Sequence, residues 1–329
     1  MRSPFPYFGA KAHAAPLVWQ AIGADVGSYV EPFAGSLAVL LARPGGAGRI
    51  ETVNDLSGHV ANFWRAVREC PEELAAHADY PVIEADLHTR HRWLWERGQT
   101  LAVEIDRHPR FCDPRAAAWW AWGASAWIGS GWCDGRLARQ LPKLSDAGAK
   151  LHSPGADIPE WIAALAARLR RVRVACGDWR RLTSRAVLCV ATPTHSGTSA
   201  GLFLDPPYDD AEDHEGDGKR RATRLYESDD PTVARDVARR AEELHADAER
   251  LGSDLRIVVA GYAGGAKPAG FREVAWDPST LQAGGGYGRK NGNGRRERLW
   301  LSPMCKPVQG EVGAARQRSI FDLGGALAG

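Results

Sequence analysis

Four consecutive residues, Asp205-Pro206-Pro207-Tyr208, follow the apolar run Gly201-Leu202-Phe203-Leu204. An amine conjugated to a heteroaromatic ring is a poor nucleophile, because its lone pair is delocalised into the ring. A carboxylate at Asp205 and the backbone carbonyl of Pro206 can each accept one N–H hydrogen bond. Together they favour a pyramidal nitrogen with its lone pair aimed at an incoming methyl group. Two prolines stiffen the turn and hold that carbonyl outward. Tyr208 offers a flat face on which a base can stack. A methyl group on a sulfonium needs no acid to leave, so positioning and charge complementarity supply most of the rate. The plainer reading is a proline turn that ends a strand.

Two further patterns lie upstream. Glu31-Pro32-Phe33-Ala34-Gly35-Ser36 is followed about twenty residues later by Asn54-Asp55. Gly35 lets a ligand approach the backbone, and an acid at the end of the next strand can bind ribose hydroxyls. There is no G-x-G-x-x-G, which disfavours a pyrophosphate dinucleotide and suits a nucleoside without phosphate, such as S-adenosylmethionine. The third pattern is Pro4-Phe5-Pro6-Tyr7-Phe8-Gly9-Ala10-Lys11.

In this order, and with a variable stretch before Asp205, the three patterns resemble the Dam-type (D12 class, alpha-group) DNA adenine N6-methyltransferases. The resemblance covers about residues 4–56 and 172–303. It implies a class I S-adenosylmethionine-dependent methyltransferase fold, α/β with a Rossmann-like mixed sheet. It also implies site-specific methyl transfer to N6 of an adenine flipped out of double-stranded DNA. Tyr7, Lys11, Phe33, Ala34, Gly35, Asp55, Asp178 and Asp205 then line the cofactor, with Asp178 near its adenine. Asp205, Pro206, Pro207 and Tyr208 form the catalytic tetrad. A second glycine, common in the family, is replaced by Ala10. The same tetrad, usually with Asn or Ser first, occurs in enzymes acting on cytosine N4, RNA or protein glutamine. A catalytically silent DNA-binding module is the reading from outside enzymology.

Short apolar runs that end at Gly or Asp position these residues. Gly27–Val30, Arg49–Val53, Val172–Cys176, Gly201–Leu204 and Leu255–Ala260 read as buried parallel strands. Phe271–Trp276 and Glu297–Leu301 read as a closing antiparallel pair, and Leu37–Ala42 as a helix after the glycine turn. Between Asp55 and Val172 the strand signal disappears, and Val60–Arg68 and Trp161–Arg171 are the clearest helical segments. We therefore expect residues 1–56 and 172–303 to form the catalytic domain, 57–171 an inserted, mainly helical target-recognition domain, and 304–329 a tail. The tryptophans between 119 and 132 read as core, with a DNA wedge as the rival. Arg90, Arg92, Arg97, Arg107, Arg110, Arg115, Arg136 and Arg139 are divided between solvated faces and phosphate contacts.

The glycine-rich stretch Gly284–Gly294 and the loop from Asp209 read as mobile. Tyr226 is expected to wall the site when the latter closes over the target base. In the tail, Gln317, Ile320 and Phe321 match the Gln-x-(Ser/Asp)-(Leu/Ile)-Phe pattern of peptides that dock on the bacterial sliding clamp, and the plainer reading is that Ile320 and Phe321 fold back to cap an apolar patch on the catalytic domain. Net charge is +2, the six cysteines form no C-x-x-C pair, and no apolar run is long enough to span a membrane. These features fit a reduced, cytoplasmic protein, and the resemblance implies a monomer without a metal, bacterial or phage-encoded and acting in the host cytoplasm. The DNA sequence read, and any partner restriction endonuclease, are left open.

Overall fold

The computed structural model describes residues 1–7, 11–128, 131–134, 141–142, 150–153, 155–188, 199–207, 232–276 and 296–308. Seven strands form one sheet in the order β3-β2-β1-β4-β5-β7-β6. They are β1 (Ser28–Glu31), β2 (Ile50–Asp55), β3 (Val172–Cys176), β4 (Ala200–Leu204), β5 (Leu255–Tyr262), β6 (Arg272–Ala275) and β7 (Glu297–Leu301). β1 to β5 run parallel, and β7 is antiparallel to both of its neighbours. All seven were legible as apolar runs, and the mixed sheet is that of a Rossmann-like methyltransferase fold.

The apolar runs follow from burial on both faces of the sheet. Along β5, Val258 and Ala260 enter one cluster while Ile257 and Val259 enter the other, the two-residue period of a strand. The first face is covered by α1 (Ala15–Ile22) and α3 (Gly58–Glu69), the second by α8 (Arg185–Leu188) and α9 (Val233–Arg250). Helices α4 (Pro71–Ala78), α5 (Glu84–Arg107), α6 (Pro114–Ala126) and α7 (Ile158–Leu169) follow α3. Asp113 and Asp157 cap α6 and α7 by accepting N–H bonds from Ala116 and Glu160, and a proline lies in the first turn of each helix.

Much of the apolar surface of these helices is shared with the sheet, while Leu87, Trp122, Ala126 and Trp127 form a smaller cluster of their own. Leu74, Ala117, Trp120, Ile162 and Leu165 join Val18, Tyr29, Val53 and Phe203 in one apolar cluster. Trp120, Trp122 and Trp127 are buried, as the core reading expected. Arg90 departs from both readings of its group. It is buried, with its guanidinium 4.2 Å from the Trp122 ring centroid and 4.9 Å from that of Trp119. Arg97 is held by Glu104 and Asp113. Arg92, Arg107 and Arg115 are exposed.

One difference from the sequence reading concerns the start of an element. Leu37 is not helical. It sits in the left-handed region with φ 55°, and α2 spans only Ala38–Leu41. Its N–H donates to the Ala34 carbonyl at 2.8 Å, so the glycine turn extends one residue further and imposes the strained conformation. Directly after Pro303, Cys305 is buried and the Lys306 N–H donates to the Ala21 carbonyl at 2.8 Å, so residues 304–306 rest on the sheet domain. Among the described residues no helix is long and apolar enough to cross a membrane, and no group of three metal-ligating side chains occurs.

Candidate active site at the switch point of the sheet

β1 lies between β2 and β4, so the chain leaves β1 towards one side of the sheet and later returns on the other. Open α/β sheets form a crevice at the carboxyl ends of the strands at such a point. Glu31 ends β1, Asp55 ends β2, and Asp205 follows β4. The topology alone brings three acids from distant stretches to one edge.

The turn after β1 is held from three directions. The Gly35 N–H donates to Asp55 Oδ2 at 2.9 Å, and the Ser57 N–H donates to Asp55 Oδ1 at 2.9 Å. Asn54 Nδ2 donates to the carbonyls of Pro32 and Gly177, each at 2.9 Å, tying the β1 turn to the β3 turn. Trp64 Nε1, on α3, donates to the Gly35 carbonyl at 2.8 Å. Asn54 was seen in the sequence only as the neighbour of Asp55, and Trp64 was not seen at all. A lone tryptophan on a helical face carries no signal of a bond to a turn 29 residues earlier.

Gly35 has φ 45°, and a Cβ there would lie 2.6 Å from Tyr7 Cδ1. The Tyr7 ring therefore rests on the glycine. Phe5 anchors that segment: it is fully buried, with edge contacts to Phe63 at 5.0 Å and Trp120 at 4.8 Å between centroids. Phe33 packs on Trp179 at 5.7 Å. Asp178 lies on the same rim after β3, exposed, and its carboxylate is engaged by the Arg180 N–H and guanidinium. Ala34 is buried and donates its N–H to the Asn54 carbonyl.

Lys11 lies on the tetrad. Its ammonium is 3.1 Å from Asp205 Oδ1 and 3.8 Å from Glu297 Oε2. Glu297, the first residue of β7, was absent from the sequence reading. Its strand was read as structural, and nothing in Arg295-Arg296-Glu297-Arg298 marks one acid among arginines. Pro206 is buried and lines a small hollow with Ala260, Tyr262 and Ala266, while Pro207 is partly buried. Tyr208, Tyr226, Gln317, Ile320 and Phe321 lie outside the described residues.

Burial dominates the electrostatics. It pushes Asp55 up to about 6, against the pull of the Ser57, Gly35 and Leu56 N–H groups. It pushes Glu31 up to about 8, with the charge of Asp205 adding to it and the Tyr29 hydroxyl, donating at 3.0 Å, opposing it. Burial also raises Glu297, with Lys11 lowering it and Asp205 raising it. The site thus contains protonatable acids around one ammonium, rather than a block of fixed negative charge.

The residues at the crevice suit a nucleoside without phosphate. The Gly35 N–H is spent on Asp55 and does not point at a ligand, so this turn is not the anion cradle of a dinucleotide fold. Each Asp55 oxygen accepts one backbone N–H bond, from Gly35 and from Ser57, which leaves each oxygen a second acceptor position. A search of curated proteins found no match to the chain. Residues 7–94 match the sequence model of the D12 class N6 adenine-specific DNA methyltransferase family. This match spans Tyr7, Lys11, the glycine turn and Asp55, and it supports a Dam-type DNA adenine methyltransferase.

Proposed function

We propose that the protein is a site-specific methyltransferase that moves the methyl group of S-adenosylmethionine to N6 of an adenine flipped out of double-stranded DNA. The observation that carries this reading is the pairing of Lys11 with Asp205 beside a glycine turn braced by Asp55. Phe33, Ala34 and Gly35, with the Tyr7 ring on the glycine, would hold the methionine end, Asp55 the ribose, and Asp178 the adenine end. The bound cosubstrate supplies an electrophilic methyl group on a sulfonium. Asp205 uses one carboxylate oxygen on Lys11 and offers the other to an N–H of the target amine. The Pro206 carbonyl accepts the second N–H, and Tyr208 stacks on the base. Lys11 holds Asp205 in one rotamer, so little reorganisation is left for the reaction.

In this reading residues 57–171 read the DNA sequence, and exposed Arg92, Arg107 and Arg115 supply phosphate contacts. The loop with Tyr226 closes over the flipped base. The tail with Gln317, Ile320 and Phe321 holds the enzyme at the sliding clamp, near newly made DNA in the cytoplasm.

The test is mass spectrometry of nucleosides from DNA incubated with the protein and S-adenosylmethionine. N6-methyladenine is expected, and Asp205→Ala should lower its rate by at least about 100-fold with the fold intact. Methylcytosine, or methyl transfer only to RNA or protein, would replace the reading. Absence of S-adenosylmethionine binding in calorimetry would favour a silent DNA-binding module.

A further inference from the structure

Lys11 is almost fully buried between two carboxylates, Asp205 and Glu297, whose side chains are also largely buried. The three residues come from the N-terminal segment, the exit of β4 and the start of β7. Antiparallel pairing places Glu297 opposite Tyr262 on β5, which carries it to the carboxyl edge of the parallel strands. Glu297 Oε2 is buried without a hydrogen-bond partner among the described residues, and 3.8 Å from the ammonium is too far for one. A buried carboxylate oxygen left in that state costs stability. What compensates this carboxylate is the charge of Lys11, not a hydrogen bond of its own.

We infer that Glu297 is a positioning residue that shares Lys11 with Asp205 and so sets how strongly Asp205 accepts a hydrogen bond from the target amine. This rests on the methyl-transfer reading above. When Glu297 is neutral it no longer competes for Lys11, and the ammonium withdraws more negative potential from the catalytic oxygen. When Glu297 is ionised, it competes for the same ammonium, and Asp205 becomes the stronger acceptor. The other charged groups around it have partners of their own. Glu31 bonds Tyr29, Arg298 pairs with Glu273 at 3.1 Å, and Arg296 lies over the Tyr262 ring at 5.2 Å.

Glu297→Gln keeps the shape and removes the charge. At saturating DNA and S-adenosylmethionine, kcat of the wild type should rise with pH as Glu297 ionises. Below about pH 8, where Glu31, which senses the charge of Asp205, also begins to ionise, the variant should stay at the low-pH level, about tenfold below wild type, with KM for DNA within threefold of wild type. Glu297→Asp should restore the rise. Wild-type kcat and an unchanged pH profile in Glu297→Gln would overturn the inference, as would a kcat loss that tracks a fall in melting temperature.

A second measurement needs no activity. Double-mutant cycles in chemical denaturation give the coupling of Lys11 to Glu297, using Lys11→Met and Glu297→Gln, with Asp205 present and in an Asp205→Asn background. Sharing requires stronger coupling once Asp205 no longer competes. Equal coupling in both backgrounds overturns the sharing even if the protein methylates adenine. Stronger coupling in a protein that methylates nothing would sustain the sharing and sink the methyl-transfer reading instead.

Discussion

At the residue scale, the site depends on acids whose protonation the fold has moved. Asp55 is held near 6 by burial, well above the ordinary carboxylate. Ribose hydroxyls donate hydrogen bonds, so they are bound by the ionised form. Above pH 6 Asp55 is already ionised, and the affinity for S-adenosylmethionine should be flat with pH. Below 6 binding must first remove a proton, and the dissociation constant should rise up to about tenfold per pH unit. Asp55→Asn should bind more weakly at pH 8 and lose that dependence. Calorimetry between pH 5 and 8 measures both, and a pH-independent wild type would remove Asp55 from the ribose.

The roles of single residues were unevenly legible. Asp205 and Asp55 announced themselves because each follows an apolar run and sits beside a turn. Lys11 was assigned to the cofactor by resemblance, and its pairing with Asp205 was not legible in the sequence. A one-dimensional spacing fixes neither which of two neighbouring sites a long side chain reaches nor which acid meets it. Glu297 and Trp64 act through contacts made only when distant strands and helices close on each other.

At the element scale, the parallel strands were readable because both faces of the sheet are covered, which turns each strand into a short continuous apolar run. The turn after β1 was readable as a glycine turn but not in its extent. Leu37 belongs to it in the left-handed region, because Asp55, Asn54 and Trp64 hold the backbone from outside. Gly35→Ala tests the turn. At φ 45° a Cβ is strained, and its place is taken by the Tyr7 ring. The substitution should cost about 1–3 kcal/mol in chemical denaturation. It should also weaken S-adenosylmethionine binding by more than tenfold, because ring and turn must part. Unchanged affinity would mean that the ligand does not use this turn.

At the scale of the whole molecule, the helices between β2 and β3 and the sheet are one body. The apolar cluster runs through both, and a buried ionic network joins them. Glu51 on β2 accepts two bonds from Arg168 of α7, at 2.7 and 3.0 Å, and one from Arg43 at 3.1 Å. Arg43 also donates to the carbonyls of Ala24 and Val26, and Arg168 to that of Leu40. Removing Glu51 leaves two guanidinium groups buried with only carbonyl partners, so Glu51→Ala should cost about 3–5 kcal/mol. Should that variant not fold, Glu51→Gln keeps the volume and should show a smaller loss of the same kind. The way the loss appears is as telling as its size. Nine of the thirteen tryptophans fall between residues 57 and 171, so fluorescence follows mainly these helices. Far-UV circular dichroism follows the sheet and α9 as well. A shared core predicts coincident transitions by the two probes in the wild type, and a joint shift of both in the variants. If fluorescence were to change at a lower denaturant concentration than dichroism, the helices would be a separately melting unit. The positioning of Phe5 and Tyr7 against them would then have to survive their unfolding, which an aromatic cluster built from Phe63, Trp64 and Trp120 does not permit.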